Sequence, residues 1–423
     1  MSSVGKFSHK KINYGLLCRA AKSPVFSHFS FASILFFIYA ASLISNFSIY
    51  SAEFRTNEIL GGKLFRRIDP QQQQIPSSAS LQRNNIIEEE SDPLIPPHKA
   101  TSEERLRWFR RKLPELEILN STHLSGRFHG RVLELFNNNC SAQFFMVWLS
   151  AAQSFGPREF LAIDSLFSAS PNGCLLLLST SMDSHTGYKI LKPLHDRGFK
   201  ILAVTPDVPF LVKNTPTEPW LNELKAGNLD PGSVPLFNHL SDLLRLLVLY
   251  RYGGVYLDTD FIFIKDLSAL RNAIGAQSMK LSTKIWTRLN GAVMIFDIYH
   301  PLLLDFLQEF AKTFNGNRWG HNGPYLVSRV LERLGNKAEY NLTIYPPNTF
   351  YPVDWVKIIK LYKKPQTEDE IKSAEDILAN ISSESYTVHL WNKRTRELKI
   401  KEGSVMERLI SSHCVICQHI TDA

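Results

Sequence analysis

From Gln143 onward the chain alternates two hydrophobic patterns. Unbroken apolar runs, "QFFMVWLS" (143–150), "CLLLLS" (174–179) and "KILAVT" (200–205), predict buried strands. Between them "PREFLAIDSLFSA" (157–169), opened by Pro157, and "SHTGYKILKPLHDRGF" (184–199) predict helices. Strand and helix following each other at this short spacing predict an α/β domain with a parallel sheet covered by helices. Open sheets of this kind bind ligands beyond the carboxyl ends of their strands. No internal repeat is visible in the sequence.

Further along, Leu240, Leu243, Leu244, Leu247 and Val248 recur at helical spacing, and Gly253-Gly254 predicts where that helix stops. The next run, "VYLDTDFIFI" (255–264), is apolar on both faces, with Val255, Leu257, Phe261 and Phe263 on one and Tyr256, Ile262 and Ile264 on the other. It predicts a central strand buried on both sides. "HPLLLDFLQEFAKTF" (300–314) and "PYLVSRVLERL" (324–334) predict two more helices, the second started by Pro324.

The N-terminal part reads differently. Residues 23–52 hold no Asp, Glu, Lys or Arg, and "FSFASILFFIYAASLISNF" is close to the ~20 apolar residues a helix needs to cross a bilayer. This predicts a transmembrane signal-anchor over 23–52, with 1–22 as a cytosolic tail. A cleaved signal peptide or a buried helix is the alternative, disfavoured by the long run and by the tail before it. Lysines and arginines of that tail place it in the cytosol, so everything from Glu53 onward is expected on the lumenal side. Residues 53–125, with "DPQQQQIPSSASLQRNN" and "EEESDPLIPPHKA", have the composition of a flexible stem. Within the stem "TSEERLRWFRRKL" predicts a short helix with Thr101 and Glu104 at capping-box spacing and a solvated basic face. Residues 126–423 form the expected lumenal domain.

Composition changes this picture little: 44% hydrophobic and 21% charged residues are ordinary for a globular chain of 423. The net charge of +8 would suggest nucleic acid, but Lys6, Lys10, Lys11, Arg19 and Lys22 supply most of it and no acid precedes Glu53. The excess belongs to a tail, so no nucleic-acid partner is expected. Asn120, Asn139, Asn341 and Asn380 each begin an N-glycosylation sequon, as suits a lumenal domain. With Cys18 in the cytosol, Cys140, Cys174, Cys414 and Cys417 could form two bridges, in a pairing the sequence does not settle. The tail "HCVICQH" offers His413, Cys414, Cys417 and His419 to zinc, but the spacing is tighter than zinc fingers use; a local disulfide or reduced thiols is the alternative.

The chemistry concentrates at Asp258 and Asp260. Residues two apart on a strand share a face, and two like charges on a buried face are costly unless paired or bound to a metal. Two carboxylates are hard ligands suited to Mn²⁺ or Mg²⁺, which then neutralise a phosphate leaving group. Pairing with a lysine or arginine at an exposed strand end is the plain alternative. Asp242 and Arg245, three apart on the preceding helix, read as an intrahelical ion pair or as polar contacts to a ligand.

The segments "LSDLLRLLVLYRYGGVYLDTDFI", "LNGAVMIF", "NRWGHNGPYLVSRV", "FYPVDW" and "YTVHLWNK", in this order from about Phe144 to the C-terminus, resemble the α-1,4-glycosyltransferases of glycosyltransferase family 32, related to lactosylceramide 4-α-galactosyltransferase, with their Asp-x-Asp sugar-binding region. The resemblance implies a Rossmann-like GT-A domain, a type II Golgi membrane enzyme, and retaining transfer of a hexose, galactose in α-1,4 linkage first of all. The donor would be a nucleotide sugar and the acceptor a glycolipid or glycan. It implies that Asp258 and Asp260 are catalytic and hold Mn²⁺ (or Mg²⁺), with His389 as third ligand. Asp242, Arg245, Tyr256 and Asn290 would bind the donor, and Trp391 and Lys393 would flank its diphosphate. Trp319, His321 and Asn322 in "WGHNGP" would line the acceptor side, a well-packed turn being the alternative. The rival functions are a transferase using UDP-N-acetylglucosamine or GDP-mannose, for example on a sphingolipid head group, and an inactive Golgi scaffold or sugar-binding protein. Aspartyl-phosphate phosphatases also use Asp-x-Asp, but follow it with Thr or Val where this chain has Phe261.

Overall fold

Among the described residues nine strands carry the architecture: β1 (Gln143–Val147), β2 (Cys174–Leu178), β3 (Lys200–Val204), β4 (Gly254–Leu257), β5 (Phe261–Phe263), β6 (Ala273–Met279), β7 (Trp286–Phe296), β8 (Thr343–Tyr345) and β9 (Thr387–His389). This computed structural model describes residues 93–420 apart from 281, 336, 337 and 419. The expected cytosolic tail, the membrane span, the stem up to residue 92, Cys18 and His419 lie outside the described residues. Among the described residues no helix is long and apolar enough to cross a membrane.

Seven strands form one sheet in the order β3-β2-β1-β4-β7-β6-β8. The run β3-β2-β1-β4 is parallel, with Phe144 opposite Leu175 and Val255. Antiparallel β7 then sits between β4 and β6, and β8 adds parallel to β6. The sheet is therefore mixed α/β with a parallel half, where the sequence predicted a parallel sheet throughout. Every residue of β2 is fully buried, because helices cover both faces and each face has its own apolar core.

The helix Leu236–Tyr252 ends where Gly253 takes φ +66° and its N–H returns to the Leu249 carbonyl at 2.8 Å. Gly254 has φ +106°, and a Cβ there would fall 2.5 Å from the Gln143 carbonyl oxygen. The pair of glycines thus lets the chain reverse and lay β4 directly against β1.

Two expectations are corrected here. "VYLDTDFIFI" is not one strand: β4 stops at Leu257, and β5 begins at Phe261 in a separate two-stranded sheet with β9. Asp258, Thr259 and Asp260 form the turn between them, so the two carboxylates do not share a strand face. Charges are too costly inside a two-sided apolar strand, and the chain leaves the sheet where they occur.

The stem boundary at 125 is also too late. The helix Ser102–Lys112 has the predicted capping box, but it buries Trp108 and Phe109 in the core that holds β1 and the Leu236–Tyr252 helix. Leu116, Ile118 and Leu119 follow into the same core. Arg105 is buried against Asp230 at 2.7 Å, so the basic face is only partly solvated. The segment 101–125 is packed into the domain.

Cys140 is bonded to Cys174, and Cys414 to Cys417. The second bridge is the local disulfide alternative to zinc at the tail, and Asp164 caps this loop by accepting the N–H groups of Val415, Ile416 and Cys417 at 3.0, 3.1 and 2.9 Å. Asn120, Asn139, Asn341 and Asn380 are all exposed.

Candidate active site

A cavity of about 1030 Å³ opens at the carboxyl end of β1, the position expected for ligands of a parallel sheet. Its walls come from Trp148 and Ser150 after β1, the Leu236–Tyr252 helix, the Asp258–Asp260 turn, β6 and β7, the Trp319–Tyr325 loop, Trp355, and the end of β9 with the segment after it. Pairing of β5 with β9 places Phe261 opposite His389 and so brings the imidazole to the turn.

Asp258, Asp260 and His389 can each offer an atom so that all three lie within 4.8 Å of one another. His389 Nε2 lies 3.0 Å from Asp260 Oδ1, and Asp260 Oδ2 accepts the Asn392 backbone N–H at 3.0 Å. Asp258 Oδ1 accepts the Tyr256 hydroxyl at 2.8 Å and lies 3.4 Å from Arg245 Nη1. Burial raises the Asp258 carboxyl above its ordinary range, Arg245 opposes this, and the charge of Asp260 adds to it. The ring of His389 is wedged between Phe261 and Trp391, at centroid distances of 4.5 and 4.0 Å, and its Nδ1 is buried without a partner. Two carboxylates and an imidazole within ligand reach fit a Mn²⁺ or Mg²⁺ ion.

Arg245 organises the neighbouring wall. Its guanidinium pairs with Asp242 at 3.1 Å, donates to the Gly291 carbonyl at 2.9 Å and lies 4.7 Å from the Tyr256 ring centre. Burial disfavours its charge, but Asp258, Tyr256 and Asp242 outweigh that and hold it above the ordinary range. Burial pushes the Asp242 carboxyl up to about 6 against the pull of Arg245. Both residues line the cavity, so the intrahelical pair and the ligand-facing arrangement are the same structure. Gly323 makes room for it, since a Cβ there would fall 2.3 Å from Asp242 Oδ1.

Of the residues predicted at the donor side, Asn290, Trp391 and Lys393 line the cavity. Asn290 accepts the Ala292 N–H at 3.0 Å and donates to Gln277 at 3.2 Å. Trp391 has φ +56° and donates from Nε1 to the Val353 carbonyl at 2.9 Å. Tyr256 is 1% exposed and off the wall; it touches Asp258 and Arg245, and so positions the machinery without facing a donor. On the acceptor side only Trp319 reaches the cavity, with Lys393 Nζ 3.9 Å from its ring centre. His321 is tied to the Thr313 carbonyl at 2.9 Å, and Asn322 is buried between Asn315 and His239. These two fasten the loop, as the packed-turn alternative had it.

Sequence reasoning missed His239, Arg288, Tyr325, Trp355 and Arg394 on the walls. Arg394 lies 5.1 Å from the Trp355 ring centre. The basic run following "YTVHLW" and the exposed tryptophan in "FYPVDW" carried that signal.

A mixed α/β sheet whose fourth strand ends in an Asp-x-Asp turn at the cavity defines a sugar-transferring class of protein. Residues 156–280 match the glycosyltransferase sugar-binding region containing the DXD motif, and residues 295–421 match the alpha 1,4-glycosyltransferase conserved region. The chain belongs to this α-1,4-glycosyltransferase family. It is 30% identical over 217 residues to lactosylceramide 4-alpha-galactosyltransferase of Pongo pygmaeus, covering 49% of this chain and 91% of that one. An uncharacterized protein of Arabidopsis thaliana is 30% identical over 66% of this chain, which spans 43% of that protein's length. Human alpha-1,4-N-acetylglucosaminyltransferase is 29% identical, over 49% of this chain and 58% of its own.

Proposed function

We propose that the protein transfers a hexose, galactose first of all, from a nucleotide sugar to a hydroxyl of a glycolipid or glycan, forming an α-1,4 linkage with retention of configuration. The observation that carries this reading is the convergence of Asp258, Asp260 and His389 beside the buried Asp242–Arg245 pair in one cavity. The domain is then of the GT-A type, and these three side chains would hold Mn²⁺ or Mg²⁺. A cation bound there would compensate the charge that develops on the departing diphosphate.

The remaining work falls to the chain. Arg245 and the Tyr256 hydroxyl fix Asp258, and the Asn392 N–H fixes Asp260, so both carboxylates are oriented before a donor arrives. Lys393 and Arg394, which follow Asn392 directly and line the cavity, would face the leaving group. Asp242 accepts hydrogen bonds from hydroxyls of the donor sugar, and Asn290, on the facing strand, closes the sugar's other edge. No side chain is assigned as covalent nucleophile.

The uncharged run 23–52, two disulfides and four exposed sequon asparagines support a type II anchor, a lumenal domain and a Golgi location. A second reading, with UDP-N-acetylglucosamine as donor, is favoured by the likeness to a relative of that name. The test is donor hydrolysis by the full chain in detergent with Mn²⁺ or EDTA against UDP- and GDP-sugars. Metal-dependent turnover of UDP-galactose, absent in Asp260→Asn, is expected. Preference for UDP-N-acetylglucosamine would assign the second reading, and no metal-dependent turnover of any donor by folded protein would overturn both.

A further inference from the structure

We propose that the acceptor saccharide carries an anionic group, held by Arg288 at the end of the cavity remote from the metal cluster. This rests on the sugar-transfer reading of the same cavity and adds the chemical class of its second substrate.

The argument starts from β7, which runs along the cavity floor and measures distance across it. The Asp258 N–H donates to the Ala292 carbonyl at 2.9 Å, so the carboxylate turn is level with Ala292. Asn290 lies two residues on and Arg288 two further, and Asn290 and Arg288 both line the cavity. Four residues of β7 separate Arg288 from the level of Asp258, the strand bulging against β6 between Met294 and Asn290. A diphosphate at the carboxylates and a hexose at Asp242 and Asn290 fill the space between, which leaves Arg288 beside the acceptor.

Charge on this end is unbalanced. Arg245 is paired with Asp242 and Asp258, and Arg396 lies 3.6 Å from Glu159. Lys393 Nζ lies 3.9 Å from the Trp319 ring centre and Arg394 5.1 Å from that of Trp355, so each already has an aromatic partner. Arg288 has no carboxylate within 4 Å among the described residues; its guanidinium instead lies 4.8 Å from the ring centre of Tyr325. Arg318 stands 5.9 Å from the centre of the same ring, also without a carboxylate partner. Both arginines are exposed, so water solvates their guanidiniums and leaves them free to exchange it for an anion. The guanidinium fork matches a carboxylate, sulfate or phosphate with two parallel hydrogen bonds. Tyr325 also offers an apolar face to a sugar ring, with Trp319 next to it across Gly320. A ring to stack on and an uncompensated fork beside it suit a sugar bearing a single negative group. A neutral sugar would leave the exposed Arg288 guanidinium to water.

The test measures equilibrium binding to the full chain in detergent, with and without UDP and Mn²⁺. The probes are lactose and lactose bearing one sulfate ester, one phosphate ester or one sialic acid carboxylate. Hydrogen bonds to a charged group predict that at least one anionic probe binds roughly 10- to 100-fold tighter than lactose, and the three arms show which anion is preferred. In Arg288→Gln that ratio should collapse to about one, and in Arg288→Lys it should be intermediate. Equal or absent binding of the four saccharides, or a preference that survives Arg288→Gln combined with Arg318→Gln, overturns the proposal. The UDP–Mn²⁺ arm reads the donor side separately: its failure would overturn the transferase reading, whereas the saccharide ratios judge the anionic acceptor.

Discussion

His239 should make the protein lose stability on mild acidification, and the amount follows from its surroundings. The imidazole is 1% exposed in the Leu236–Tyr252 helix. Its Nε2 faces the Gly316 carbonyl at 3.3 Å and its Nδ1 faces Asn322 Nδ2 at 3.0 Å. Nε2 therefore donates and Nδ1 accepts, which is the neutral ring; a proton on Nδ1 would oppose the Asn322 N–H. Burial lowers its pKa from 6.5 to about 4, against the favourable Gly316 carbonyl and with a small push from His321. The unfolded chain thus binds the proton more readily. The stabilisation is complete above pH 6.5 and disappears as pH falls towards 4. The full shift corresponds to about 3 kcal/mol, of which about 2 kcal/mol is already lost at pH 5. Urea unfolding of the wild type and His239→Phe between pH 4.5 and 7.5 isolates this contribution from that of the carboxylates. The variant should be less stable by about 1–3 kcal/mol at pH 7.5, where Gly316 and Asn322 lose a partner. The gap should close as pH falls. Parallel pH profiles for the two proteins would refute the reasoning.

Tyr256→Phe removes the hydroxyl that orients Asp258 and should weaken Mn²⁺ binding roughly 10- to 100-fold while the protein stays folded; an unchanged Kd in a Mn²⁺ titration would show that Arg245 orients the carboxylate alone. Gly323→Ala pushes a methyl group into Asp242 and should cost about 1–3 kcal/mol, seen as a lower Tm. The same variant should weaken donor binding, and wild-type Tm together with wild-type donor affinity would mean that Asp242 is not clamped by this loop.

How much of this was legible in the sequence depended on what each pattern records. β1 and β2 were readable because strands covered on both faces appear as unbroken apolar runs, the half-buried edge strand β3 because its run is apolar too, and Gly253-Gly254 marked its turn for a steric reason. The break between β4 and β5 was hidden: apolarity records burial, and β5 is as buried in its small sheet as β4 is in the large one. Only the polar letters of Asp258, Thr259 and Asp260 marked it. His389 could not be joined to Asp260 by spacing, because β5–β9 pairing brings them together across 129 positions; likeness to a family supplied that link. His321 and Asn322 look like ligand-binding residues in sequence, and only their partners in the loop reveal that they hold it shut. Arg105 misled in the opposite sense, since a helix rich in arginine conceals one whose partner, Asp230, is far along the chain.

The pairing of β5 with β9 also sets when the protein can become competent. A chain leaving the ribosome has β1 to β4 and both aspartates in hand long before Thr387–His389 emerges, and until then β5 has no partner in its own sheet. The imidazole of His389 and the amide that steadies Asp260 arrive together, after all the strands of the large sheet. A chain cut short before residue 387 would keep the strands of the large sheet and lack this corner, so the site is completed only after every strand of that sheet has been made.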